Sequence, residues 1–225
     1  MCKKVELLLS LLRSIFINLK CLPFSQAIKI PLLFYYKTQI IGCLNKGTFE
    51  LHGNVRSRMV QVGIGKGSFN LGGASKTFLK IEKGGKVIFH GSCNIARGGH
   101  IIVTKNARVV FGNNCCFNAN ALINSGSMIS FGDDFLGGWN VTIIDGDGHP
   151  VNDLHSKSRL NPYKPIKFGN HCWLAAHSSV LKGVVLNDNT IVPYGSVITK
   201  SCDVPFVIFG SQPNKVLKNN VYRNE

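Results

Sequence analysis

Acidic residues are scarce in this chain: 11 Asp and Glu stand against 26 Lys and Arg, a formal charge of +15 over 225 residues. A balance this basic suits an anionic partner: nucleic acid, a phosphate-bearing cofactor, a phospholipid surface or an anionic glycan. No Arg/Lys-rich tract with interleaved aromatics is present, which weighs against nucleic acid. Charged residues of both signs make up only 16% of the chain, and helical periodicity is missing after about residue 40. With abundant Asn and Gly, that reads as a β-rich protein with many turns. The eight cysteines, at 2, 21, 43, 93, 115, 116, 172 and 202, include no CxxC pair. No small-residue cleavage site follows the first apolar segment, so the thiols read as reduced, in a cytosolic protein. No apolar run reaches the roughly 20 residues of a membrane span, because Arg13 and Lys20 interrupt the first one.

That first segment differs from the rest. MCKKVELLLSLLRSIFINLK mixes apolar residues with Lys3, Lys4, Arg13 and Lys20 at helical spacing. Two roles are open to such a helix. It lies on an anionic membrane surface, or it packs its apolar face on its own domain or on a neighbouring subunit. Residues 1–44 are assigned to this segment.

From residue 89 the pattern changes to a period of six. Apolar residues recur in triples: Phe89, Ile95, Ile101; Phe111, Phe117, Ile123; Phe131, Gly137, Ile143; Phe168, Leu174, Val180; and Leu186, Val192, Ile198. Fourteen of these fifteen positions are large and apolar, where a chain that is 44% hydrophobic would place about six or seven at random. Four residues after most of them stands a small residue: Cys93, Gly99, Cys115, Ala121, Ser127, Val141, Cys172, Ser178, Val184, Thr190, Ser196 and Cys202, with Lys105 and Phe135 as exceptions. One large and one small inward side chain per six residues describe a flat face of a three-sided β-solenoid. Each coil then buries its core only against the coils above and below. Cys93, Cys115, Cys172 and Cys202 are thereby read as compact inward hydrophobes, which leaves little for disulfides or zinc. Val62, Ile64, Leu71, Leu79, Ile81 and Val87 mark weaker coils. The solenoid is expected over 45–205, with a tail at 206–225.

The repeat breaks at one place on a large scale. An ideal coil takes 18 residues, as from Phe168 to Leu186; Phe89 to Phe111 takes 22, Phe111 to Phe131 takes 20, and Phe131 to Phe168 takes 37. The loop at 145–167, DGDGHPVNDLHSKSRLNPYKPIK, holds the excess. Solenoids gather such insertions on one face, often the binding face, and a loop this long in a compact fold is more often functional than not. Asp145, Asp147 and His149 open it. His155 lies within it, where it could contact a ligand, whereas His171 and His177 share one outward slot and read as solvated.

Residues 168–218, FGNHCWLAAHSSVLKGVVLNDNTIVPYGSVITKSCDVPFVIFGSQPNKVLK, resemble the C-terminal half of the hexapeptide-repeat acetyltransferases. That family includes galactoside, maltose and xenobiotic O-acetyltransferases and the O-acetyltransferases of capsule and lipopolysaccharide synthesis. NVTIIDGDGHPV resembles the segment carrying the catalytic His of the galactoside and maltose enzymes, and LPFSQAIKIPLLF is similar to polysaccharide-cluster members. The match covers roughly residues 89–218.

The resemblance implies an all-β, left-handed parallel β-helix forming a homotrimer, with acetyl-CoA in a groove between neighbouring β-helices and no metal. It implies an O-acetyltransferase acting on a carbohydrate acceptor in surface polysaccharide synthesis. His149 matches the general base, a role to which a neutral imidazole is suited near pH 7. Asp147 or Asp145 would hold its tautomer, and Asn118 matches a donor to the developing oxyanion. Trp173 borders the groove in the family; Ala176, Ser196, Thr199 and Lys200 match the pantetheine path. Lys215 and Lys218 stand at basic positions near the adenosine phosphate, Lys218 replacing the commoner Arg and its bidentate fork. Location is expected in the cytoplasm, at the inner face of the membrane where residues 1–40 bind it. Three other functions stay open: a sugar N-acetyltransferase, a zinc hydrolyase of the carbonic anhydrase type with three converging His, and a non-catalytic β-helix scaffold.

Overall fold

The structure, a computed structural model, describes residues 3–64 and 76–224. Leu71, Cys2 and the side chain of Lys3 lie outside the described residues. Two helices, α1 (Lys3–Cys21) and α2 (Phe24–Ala27), precede strands β1 (Leu32–Phe34), β2 (Gln39–Gly42) and β3 (Phe49–Leu51). Each of these three strands founds one face of a solenoid. Among the described residues the first face has nine strands, the second seven and the third six. Strands within a face are parallel, except that Lys215–Asn219 runs antiparallel to Val207–Gly210 at the end of the first.

The six-residue register sets the core as expected: all fifteen repeat positions are buried. On the third face the first residue of each triple stacks directly over its predecessor. Ring centroids are 5.0 Å apart for Phe89 and Phe111, 5.2 Å for Phe111 and Phe131, and 5.1 Å for Phe131 and Phe168, all near-parallel. Gly137, the one small residue in a large slot, has its physical reason two positions earlier. Phe135 occupies the small slot fully buried, 5.2 Å from Phe117 and 4.6 Å from Phe131. A β carbon on Gly137 would lie 2.8 Å from the Phe117 ring. Large and small are exchanged across this coil, and the volume is conserved.

The small slot lies behind each corner turn, where a carbonyl needs a donor. Ser178 donates to Ala175 O at 2.7 Å and Thr190 to Asn187 O at 2.7 Å. The Cys115 thiol contacts Gly112 O of its own corner at 3.6 Å and Gly132 O of the coil above at 3.4 Å, and the Cys172 thiol contacts Asn187 O of the coil above at 3.2 Å. Cys93, Cys115, Cys172 and Cys202 are all buried, and burial pushes the thiols of Cys115 and Cys172 up to about 12. Lys105, one of the two exceptions to the pattern, is exposed, and Ala107 is buried two residues later; Ser127 and Ser196, expected inward, sit half-buried on corners. The outer corner slots take positive φ at Asn114, Asn120, Asn140 and Asn189, which Asn tolerates better than most residues. His171 and His177 share that slot, with φ of 56° and 60°. They point outward as expected, but into polar columns: His171 faces Asp134 at 3.4 Å and His177 meets Asn140 at 3.1 Å.

The solenoid begins at Leu32 rather than near residue 45, and Val207–Gly210 extends the first face past residue 205. The first coil hid from the repeat because its strands start at 32, 39 and 49, not six residues apart. Its exposed edge is closed by α1. Asn18 receives Leu32 N at 3.1 Å and donates to Leu32 O at 2.7 Å. Ser14 accepts from Phe34 N at 2.9 Å, and Ser10 accepts from Tyr36 N at 3.0 Å. Residues four apart on a helix rise about 6 Å, and residues two apart on a strand about 6.6 Å. Three helix side chains therefore match three strand positions and satisfy an edge that would otherwise invite another chain. The docked face of α1 is mixed: Ser10, Ser14 and Asn18 bond the edge, while Ile17 and Cys21 join the apolar core. Of the two roles open to the helix, packing on the domain through its broad leucine-rich stripe is not the one seen.

Candidate active site

The second face ends each coil at a corner, and one of these corners carries the loop. Asp145 follows strand Thr142–Ile144, in the column of Ser125 and Val103 below it. Its side chain is fully buried. Its carboxylate accepts from Ser125 Oγ at 2.9 Å, Gly126 N at 2.6 Å and Ser127 N at 2.9 Å. Three donors at a buried corner fix a carboxylate in place. The Asp145 carboxylate is thus engaged by the frame of the solenoid, on donors of the coil below.

The loop leaves through a closed neck, where Lys164 N donates to Asp145 O at 3.0 Å. Beyond the neck the chain folds back on itself, with Leu160 N to Val151 O at 2.7 Å and Asp153 N to Ser158 O at 2.9 Å. The Tyr163 ring lies flat against Gly126 and Gly146, where any β carbon would collide with it. The Arg159 guanidinium lies 5.2 Å from the Tyr163 ring centre.

His149 stands exposed at the crest, and its imidazole has no hydrogen-bond partner among the described residues. Its backbone is held instead. Asn161 Nδ2 donates to His149 O at 2.8 Å and to Asp147 Oδ2 at 2.8 Å, while Asn161 Oδ1 accepts from Val151 N at 2.6 Å. Asp147 also forms an ion pair with Lys182, on the next coil's corner. The Lys182 ammonium first, and the Asn161 amide second, hold the Asp147 carboxyl below its ordinary range. Neither Lys182 nor Asn161 was singled out in the sequence. For Lys182 a signal existed: it follows Val180 by two residues, as Asp145 follows Ile143, which stacks the two corners because Ile144 pairs with Leu181.

The other sequence-derived residues fall into separate groups. Thr199 and Lys200 share the edge of His149, above Lys182. Their backbone N–H groups both donate to Asn214 Oδ1, at 2.7 and 3.2 Å, so that edge offers carbonyls and the Lys200 ammonium rather than free amides. Asn118, Ala176 and Ser196 lie on the opposite side of the second face, at the corner shared with the first. Trp173 is half-buried on the first face, paired with Leu136 and Ile191. Lys215 and Lys218 are exposed on the last strand. Between the two sides of the second face run a strand and two half-corners, about six residues or ~20 Å. Within one chain, His149 and Asn118 do not meet.

No protein-family profile matches the chain. It is 31% identical over 125 residues to polysialic acid O-acetyltransferase of Escherichia coli O1:K1 / APEC, covering 55% of this chain and 40% of that one. It is 30% identical over 113 residues to galactoside O-acetyltransferase of Escherichia coli strain K12, covering 50% of this chain and 54% of that one. The chain therefore spans about half the length, or less, of these curated relatives. Its fold matches the crystal structure of the polySia-specific acetyltransferase NeuO with a TM-score of 0.66 at 24% identity, over 86% of this chain and 82% of that one. The shared architecture is the left-handed parallel β-helix.

Proposed function

We propose that this chain, which resembles the hexapeptide-repeat acetyltransferases in sequence and in its left-handed β-helix, is an acetyl-CoA-dependent O-acetyltransferase. Its acceptor is a sugar hydroxyl in the synthesis of a bacterial surface polysaccharide. The placement of His149 carries the reading: an exposed imidazole, unengaged by the described residues, on a backbone fixed by Asn161 at the head of the long loop.

The neutral imidazole takes the acceptor hydroxyl's proton as its oxygen attacks the thioester carbonyl. The tetrahedral intermediate then collapses, the C–S bond breaks, and the departing CoA sulfur takes that proton back from the imidazolium. Holding both substrates together makes an acyl-enzyme unnecessary. Asp147, tied to His149 through Asn161, is the supporting carboxylate. Asn118 is the oxyanion donor. Trp173, Ala176, Ser196 and Thr199 line the path of acetyl-CoA, with Lys200, Lys215 and Lys218 toward its phosphates.

These groups lie on two sides of the second face, so a complete site needs a second copy whose first–second corner faces this loop. A homotrimer supplies that arrangement. We also propose that residues 1–40 bring the protein to the cytoplasmic side of a membrane. The test is thiol release from acetyl-CoA across oligosaccharide and sugar-nucleotide acceptors. His149→Ala is expected to lower turnover by about 100-fold or more; unchanged turnover would remove His149 as the base.

A further inference from the structure

α1 is mounted the unusual way round. Ser10, Ser14 and Asn18 are buried against the edge of β1, with Ile17 and Cys21 packed into the core beside them. At about 100° per residue, Val5, Leu8, Leu12, Phe16 and Leu19 fall within roughly 60° of the opposite direction. They are correspondingly exposed, Leu12 by 57% and Phe16 by 65%. Phe24 and Ile28, in and just after α2, extend the apolar area with 71% and 59% exposure. A contiguous apolar stripe on the surface marks an interaction site.

Its surroundings state what it fits. Residues 1–60 contain nine Lys and Arg against two Glu, Glu6 and Glu50. Lys4 and Lys20 are exposed on opposite flanks of the stripe, and Lys20 reaches over the Phe16 ring at 5.9 Å. Apolar residues in the middle with basic side chains at both margins match the boundary between acyl chains and anionic headgroups. No helix among the described residues is long and apolar enough to cross a membrane, so the stripe lies on the bilayer rather than through it.

We infer that the outward face of α1 is a footing on an anionic lipid bilayer that stands the β-helix upright; this rests on the membrane reading of residues 1–40. α1 lies across the end of the solenoid, along the edge strand, so its stripe points away along the β-helix axis. In a cyclic trimer of parallel solenoids the three stripes lie at one end, in one plane. The loop corner stands four strand spacings above the first coil on the second face, or ~19 Å, so the reaction proceeds at a fixed height above the lipid.

The test is flotation of the full chain with vesicles of phosphatidylglycerol and phosphatidylcholine, or of phosphatidylcholine alone. Wild type is expected to float with the anionic vesicles and to release at high salt. A Leu12→Glu/Phe16→Glu double variant is expected to lose about tenfold or more of the bound fraction while keeping wild-type melting and thiol release, since neither side chain touches the solenoid edge or the loop. Two results overturn the inference: wild type staying with the soluble fraction, or a lipid-free assembly of copies through the stripe that the double variant dissolves. Vesicle binding without thiol release would count against the transferase reading alone.

Discussion

Asp145 and Asp147 stand two residues apart, and replacing each by Ala separates frame from site. Asp145→Ala removes the acceptor of Ser125 Oγ, Gly126 N and Ser127 N, at 2.9, 2.6 and 2.9 Å. Ser125 Oγ keeps a second contact, to Arg108 O at 3.1 Å, so the two backbone N–H groups bear most of the loss. A buried donor left unsatisfied costs about 1–3 kcal/mol; two such partly buried N–H groups put the variant at most about 2–6 kcal/mol below wild type. For a chain of this size each kcal/mol is worth about 2–4 °C in Tm, so the melting temperature should fall by about 4–24 °C. Asp147→Ala, on the exposed side of the neck, should melt within about 2 °C of wild type, as surface substitutions do. The assay is a thermal melt followed by circular dichroism, with thiol release measured well below both transitions. An Asp145→Ala protein that melts like wild type yet has lost turnover would refute the assignment of Asp145 to the frame.

Two further outcomes follow from the same geometry. The Asp147 carboxyl is depressed by Lys182 and Asn161, so the anchoring it provides is fully present above the ordinary carboxylate value of about 3.9 and is lost only as pH falls through its lower folded value. Hydrogen exchange at Val151 N, which Asn161 Oδ1 holds, should show constant protection from pH 8 to 5 after correction for intrinsic rates. Lys182→Ala should reduce that protection across the range; wild-type protection that fades by pH 5 would contradict the ion pair's role. Phe131 is sandwiched between Phe111 and Phe168 at 5.2 and 5.1 Å, and Phe131→Ala should cost about 3–5 kcal/mol in urea unfolding. A loss under about 1 kcal/mol would mean the ring column does not hold adjacent coils together.

Much of the architecture was legible because a solenoid is close to one-dimensional. Phe111 needs only Phe89 below and Phe131 above, and an inward residue every six positions announces that need locally. The same logic exposed the loop, since Phe131 and Phe168 are 37 residues apart in sequence yet adjacent in space. The first coil escaped because its strands are unevenly spaced. Asn161 and Lys182 escaped because each acts on a partner at least 12 residues away, across a loop or from the coil above.

The sequence by itself determined the three-sided coil, the inward small slots that claim four cysteines, and the position of His149 at the head of the large insertion. These follow from side-chain periodicity, which is a property of neighbours along the chain. Only the tertiary structure decided which Asp is framework, which Lys reaches the loop, and which side of α1 faces the solenoid. Position relative to the repeat stacks Lys182 over Asp145, but only the folded loop brings its ammonium to Asp147 and sets Asn161 between Asp147 and His149. The orientation of α1 turned on unpaired backbone groups of β1, which Ser10, Ser14 and Asn18 satisfy and leucines cannot. Ile17 and Cys21 pack into the core beside those bonds, and the broader leucine-rich stripe faces outward.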